Sequence, residues 1–132
     1  MVLSFGNNLQ VYVTAAFAQS TSGAKLVVLV LEDGIVASQT NYTSYYGGGA
    51  TLPNFEHNDV LRHSITNVLG DAIPSGSTAA GQKHTEIYDI AIPATVSDRS
   101  KMSIVAMIVG SDNKVINVTG SHVGTDKDYQ AN

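Results

Sequence analysis

Four histidines, eleven acidic residues and no cysteine make up the reactive stock of this 132-residue chain. The missing cysteine excludes disulfides, thiolate-bound zinc, iron–sulfur clusters and thiol catalysis together. His57, Asp59 and His63 have the best metal-ligand types, because imidazole nitrogen and carboxylate oxygen both suit zinc. On a strand, His57 and Asp59 share a face about 7 Å apart, whereas His63 lies about 20 Å from His57. One ion reaches all three only if the segment bends or is helical. His84 and Glu86 could complete a site only from a paired strand. Polar residues on a solvated face are the expectation, with no metal and no cofactor. Asp126-Lys127-Asp128 lacks the spacing of a calcium loop.

Nucleophilic chemistry has decoys only. Ser22-Gly23-Ala24-Lys25 and Ser111-Asp112-Asn113 match two signatures of β-lactamases and penicillin-binding proteins. That chemistry starts a helix at the Ser so that Lys, one turn on, reaches its hydroxyl. Here Ser22 belongs to a turn and Lys25 opens a strand. The third signature, K-T-G, is approached only by Val118-Thr119-Gly120. No G-x-S-x-G elbow occurs, and Gly47-Gly48-Gly49 lacks the Lys-Ser/Thr of a phosphate loop. Three carboxylate pairs, Glu32 with Asp33, Glu56 with Asp59 and Glu86 with Asp89, read as turn or strand-surface residues. A small hydrolase would need one such pair in a single cleft, about 5 Å apart or about 6.5–9.5 Å apart for glycosidases. The expectation is no enzyme.

Recognition has better raw material. Tyr42, Tyr45 and Tyr46 are interleaved with Thr43, Ser44 and three glycines. Tyrosine offers a flat face and a hydroxyl at low entropic cost, while Ser and Gly adapt around it. These three tyrosines are the candidate ligand-binding residues, for glycan or protein, with the loop from Asn67 to Gln82 as a second candidate. The alternative is that they fold back and cap the core, leaving a purely structural accessory domain. Asn41-Tyr42-Thr43 and Asn117-Val118-Thr119 are glycosylation sequons, meaningful only in a glycosylating secretory pathway.

The elements that must carry such a loop are strands. Leu9, Val11, Val13 and Ala15 alternate with polar or small residues, and Lys25 to Glu32 is nearly continuous in Val and Leu, as in a central strand. Asp33-Gly34 signals a hairpin, with Ile35 to Thr40 as the returning strand. The stretch from Asn41 to Glu56 reads as a loop, His57 to Thr66 as a strand and Asn67 to Gln82 as a second loop. Strands resume at Thr85 to Pro93, Met102 to Val109 and Val115 to Thr119, with a polar connector of one possible helical turn from Ala94 to Ser100. The tail after Gly124 should fray.

About seven strands with no sustained 3.6-residue period predict an all-β, antiparallel β-sandwich, immunoglobulin-like or jelly-roll-like in architecture only, since no Trp is present. The expected core is Val11, Val13, Val28, Val30, Ile35, Leu61, Ile65, Ile90, Ile92, Ile104, Ala106, Ile108 and Val118. The length suits a single domain over residues 1–132. A formal charge of −4 offers no concentrated positive surface, so nucleic acid is not an expected partner. The longest apolar run, Leu26 to Leu31, is far short of the roughly 20 residues that span a bilayer.

Three elements resemble one family. Glu32-Asp33-Gly34-Ile35-Val36-Ala37-Ser38-Gln39 follows an E-x-G-I-x-A-S-Q pattern. His57-Asn58-Asp59-Val60-Leu61-Arg62 follows H-N-H-V-L-R, departing at Asp59, and Gly70-Asp71-Ala72-Ile73 follows G-D-x-I. In this order they resemble the C-terminal β domain of an outer-membrane lipoprotein family of Bacteroidetes-type bacteria, over roughly residues 9 to 119. The resemblance implies an outer-membrane location in the cell envelope, a lipid anchor and another domain upstream, and an adhesin-like role. The 132 residues would then be a module excised from a longer envelope lipoprotein.

Overall fold

The computed structural model describes residues 1–127; the end of the expected frayed tail, and Asp128 of the acidic triplet, lie outside the described residues. Ten strands follow in chain order: β1 (Val2–Phe5), β2 (Asn8–Ala16), β3 (Lys25–Glu32), β4 (Ile35–Thr40), β5 (Thr51–His57), β6 (Val60–Ser64), β7 (Asp71–Ala72), β8 (Lys83–Ala91), β9 (Met102–Val109) and β10 (Val115–His122). Every pairing is antiparallel. One sheet runs β1-β2-β8, the other β10-β9-β3-β6 with short β7 also on β3, and β4-β5 stands apart as a two-stranded ribbon. No helix among the described residues is long and apolar enough to cross a membrane, which leaves strand-based crossing untouched.

The core lies between the two larger sheets. In β2 and β8 the apolar residues recur at period two, so Leu9 and Val11 face inward with Tyr88 and Ile90. From the other sheet Leu26, Val28, Val30, Met102 and Ile104 meet them. Each fully buried aliphatic chain contributes roughly 1.5–3 kcal/mol. The middle strand, β3, is covered on both faces, because Val27 is buried as well. Its outer cover is the turn at Gly70, where a Cβ would lie 2.8 Å from the Cβ of Lys25 and 3.1 Å from Cγ2 of Val27. With φ at +96°, glycine is needed there for backbone shape and for room.

Val11, Val28, Val30 and Ile104 are buried as expected, and Val13, Ile65, Ile90, Ile92, Ala106 and Ile108 pack against them. Leu61 and Val118 do not belong, at 53% and 52% exposed. Leu61 lies opposite Leu31 and Val118 opposite Met107, which puts both on the outer face of their sheet. Ile35 is only half-buried, at the root of the separate ribbon. The expected strand count rises from about seven to ten. Short β1 closes on β2 through a tight Gly6-Asn7 turn with Gly6 at φ +58°. β5 fills the end of the expected loop from Asn41 to Glu56 and takes His57 from the strand expected over His57 to Thr66, of which β6 keeps Val60–Ser64. The tail is tied down immediately after Gly124, where Thr125 O accepts from Val2 N–H at 3.2 Å. The connector's helical turn is real but later, a 3₁₀ turn over Arg99–Lys101.

Asp33-Gly34 is not a hairpin turn. β3 already has β9 on one edge and β6 and β7 on the other, so no edge is left for a returning strand. The chain bends at Gly34 (φ +72°) and runs on as β4, whose partner is β5.

Candidate functional site

β4 and β5 prolong the β3–β6 pair. Glu32 faces Val60 and, past the bend, Ile35 faces His57, so the ladder resumes in the same register. Across the break, side chains replace ladder bonds. Asp59 N–H donates to Asp33 Oδ1 at 2.7 Å, and Gly34 N–H donates to Asn58 Oδ1 at 2.9 Å. Asp59 takes a left-handed φ of +55°, a conformation that Asp tolerates better than most residues. Asp33 N–H also donates to Lys101 O at 3.1 Å, which ties the bend to the start of β9.

Beneath this joint lies a buried ion pair. Glu32 has no exposed surface, and Arg62 Nε donates to its Oε2 at 2.7 Å. The register of β6 slips at Arg62, the extra residue of a bulge, and bulges re-aim side chains in this way. The N–H groups of Ser97 and Asp98 complete the carboxylate's shell, and Arg62 Nη2 reaches Ser97 Oγ at 2.9 Å. Burial by itself would raise the pKa of Glu32. The Ser97 and Asp98 N–H bonds, with Arg62, outweigh it and hold the carboxyl below its ordinary value.

Above the joint the ribbon leaves the body as an arm. One face carries Ile35, Ala37, Phe55 and His57, since directly opposed residues share a face. Phe55 meets His57 edge-on with ring centroids 5.0 Å apart, and Tyr46 meets Phe55 at 6.0 Å. A bulge sets Pro53 and Asn54 against Ser38, which suits a proline that cannot donate to a ladder. Asn41 builds the tip: its Nδ2 donates to Gly49 O at 2.9 Å, and its Oδ1 accepts from Thr43 N–H at 3.0 Å. Gly47 and Gly48 both take positive φ. Tyr42 and Tyr45 are 93% and 90% exposed, and Tyr46 is 63% exposed. No residue from Ala37 to Phe55 carries a charge.

The other candidates are dispersed. His57 packs edge-on against Phe55 in the arm, Asp59 is spent on the joint and His63 is exposed. Among the described residues no three metal-ligating side chains cluster. His84 and Glu86 lie on β8, which pairs with β2 and not with β6. His84 Nε2 is 3.1 Å from Glu86 Oε1, and burial, then Glu86 and Asp71, push the neighbouring Tyr88 up to about 12. Glu86 and Asp89, three residues apart on one strand, face opposite ways. Glu32 is buried while Asp33 caps the joint. The two decoy motifs do meet, with Lys25 Nζ donating to Asn113 Oδ1 and Ser111 against Gly23. In the loop from Asn67 to Gln82, β7 and a 3₁₀ turn over Ser75–Ser77 are formed.

The Glu32–Arg62 pair and the Asp33/Asn58 joint were not singled out in the sequence. Their one trace is that they fall within the first two elements of the resemblance. The family model described as "Outer membrane protein Omp28" matches residues 4–127. The solved structure of HBP35 of Porphyromonas gingivalis is similar with a TM-score of 0.55 at 12% identity, a likeness of fold alone. It covers 96% of this chain and 46% of that one, so the chain spans less than half the length of that protein. No curated protein matches.

Proposed function

The chain belongs to the Omp28 outer membrane protein family, and from that place in the cell envelope we propose that it is a non-catalytic recognition module acting through its tyrosine-tipped arm. Tyr42, Tyr45 and Tyr46 are the proposed ligand-contacting residues. The observation that carries this reading is their exposure, on a ribbon that projects from the core and shares none of it. Capping tyrosines would be buried with their hydroxyls paired; no described residue pairs with these. Exposed apolar surface of this kind marks interaction sites. An uncharged tip favours a neutral, hydroxyl-rich ligand such as a glycan, whose ring faces stack on tyrosine while Ser, Thr and Asn bond its rim. An uncharged protein segment is the other occupant the array below would reveal. The side-chain bonds across the joint would restrict the arm's swing and so reduce the conformational freedom lost on binding.

An adhesin-like role of this kind, with a lipid anchor and a further domain in a longer protein, is the fuller form of the proposal. The test is binding of the 132-residue chain to glycan and protein arrays beside a variant carrying Tyr42→Ser, Tyr45→Ser and Tyr46→Ser. Binding lost in a variant that melts normally supports it. No binding by the unaltered chain, or binding that survives the triple change, overturns it.

A further inference from the structure

The core of the sandwich lies against one face of the β10-β9-β3-β6 sheet. Side chains alternate along a strand, so with Leu26, Val28 and Val30 turned inward, Val27, Leu29 and Leu31 point outward. Directly paired residues share a face, which adds Ser103, Val105 and Met107 of β9. Leu61 of β6 and Val118 of β10 stand at its two flanks. An antiparallel sheet with one wet face normally alternates apolar-in with polar-out. The middle strands here do not. Residues 26–31 and 104–109 are apolar throughout, the pattern of strands covered on both faces.

The turn at Gly70 covers the Val27 end of this outer face. Beyond it Leu29, Leu31, Val105 and Met107 are only half-buried, and Leu61 and Val118 are more than half exposed. Contiguous apolar surface of this kind marks an interaction site. Among the described residues, the outward positions of these four strands hold no carboxylate and one Lys or Arg, Lys25. Lys25 lies at the far end, where its Nζ donates to Asn113 Oδ1 in the turn between β9 and β10.

We infer that this face is a dimer interface, on which a second copy of the chain lies sheet against sheet. Charge selects the place: two chains of net charge −4 repel each other and meet at least cost where neither presents a carboxylate. Shape allows it, since two such sheets stack about 10 Å apart, as the halves of a sandwich do. Leu61 is level with Leu31 and Val118 with Val27, so they occupy opposite corners of the face. A two-fold axis in the plane of contact can therefore set Leu61 of each copy over Val118 of the other. Area sets the strength. Four strands make the face about 19 Å wide, and Val27 to Leu31 run about 14 Å along it. With its rim each copy covers on the order of 500 Å², and the pair on the order of 1,000 Å², the lower bound of a specific interface.

Sedimentation equilibrium of the 132-residue chain, from about 1 μM to about 1 mM, tests this. A reversible monomer–dimer equilibrium is expected, with a Kd of about 1–100 μM for so small an interface. Leu61→Lys with Val118→Lys places like charges in the contact, on side chains that are more than half exposed in the single chain. The pair should raise the Kd at least about a hundredfold and leave the melting of dilute protein unchanged. The Met107 methyl group of the unaltered chain gives a reading that needs no substitution: its NMR signal should shift with concentration along the same curve as the mass. The variant carrying Tyr42→Ser, Tyr45→Ser and Tyr46→Ser should dimerise normally, because the arm lies past the bend at Gly34, which separates this face from the proposed recognition function. A monomer at about 1 mM overturns the inference. So does a dimer that survives the lysine pair, a Met107 signal that ignores dimerisation, or a dimer lost in the tyrosine variant.

Discussion

The β3–β6 pair and the β4–β5 pair form one ladder in two environments. Below the joint, Leu26, Val27, Val28 and Val30 are buried in a sandwich. Above it, Val36, Tyr42, Tyr45 and Tyr46 are exposed. Backbone pairing is the same kind in both halves, so pairing is not what separates them. Side-chain burial is, and it divides the labour: the lower half supplies stability and the upper half is free to vary without unfolding the protein. Substitutions should therefore fall steeply in cost along the ladder, from core to joint to tip.

The largest effect belongs to Val28→Asp. Val28 has no exposed surface and no basic neighbour among the core residues, so a carboxylate there is unpaired. A loss of about 4 kcal/mol or more is expected in urea unfolding. A variant that unfolds with the wild type would show that β3 does not anchor the body, and the contrast with the arm would collapse.

Next comes the ion pair at the base of the joint. Glu32→Ala leaves Arg62 and two N–H groups without their acceptor and should cost roughly 3 kcal/mol. The same carboxylate gives a pH signature. Its folded pKa lies below the ordinary 4.5, so its stabilisation is complete above 4.5 and fades as pH falls through the lowered folded value. Thermal melting between about pH 6 and pH 2 should show a steeper acid loss in the wild type than in Glu32→Gln. Asp98 and Asp112, also held below the ordinary range by hydrogen bonds from Ser100 and Lys114, contribute equally to both curves. Parallel curves would mean that the pair contributes nothing to folding.

The body was legible in the sequence because its signals are local. Period-two apolar residues in β2 and β8 and the Val/Leu run of β3 state their own burial. The joint was not, because Glu32 and Arg62 are thirty residues apart and meet only once β6 pairs with β3. Asp33-Gly34 misled for a related reason: turn chemistry is local, whereas the occupancy of both edges of β3 is not. β5 was hidden by the Tyr and Gly content that makes residues 41–56 read as one loop, and its Pro53 is accommodated only at a bulge. Tyr42, Tyr45 and Tyr46 could be picked out by composition, while their exposure depended on an arm that no local pattern announces.

A smaller effect is expected from loosening the joint. Asp33→Ala with Asn58→Ala removes two exposed caps, worth about 1 kcal/mol each at most. Global melting should move little. Amide exchange across β4 and β5 should quicken strongly while that of β3 and β9 stays slow, because the arm has no core of its own to hold it. Uniform exchange across both regions would mean that the ladder alone sets the arm's position.

The smallest effect on stability is the most informative about purpose. Tyr42→Ser, Tyr45→Ser and Tyr46→Ser together should shift unfolding by no more than about 0.5 kcal/mol, since only the edge contact of Tyr46 with Phe55 is lost. Tyrosine exposes a large apolar ring to water, and serine would meet the demands of this turn at least as well. A shift that small would leave the three tyrosines dispensable for folding, as the proposed recognition role requires. A drop of several kcal/mol in the triple variant would place their role inside the fold instead, and the arm would be part of the body after all.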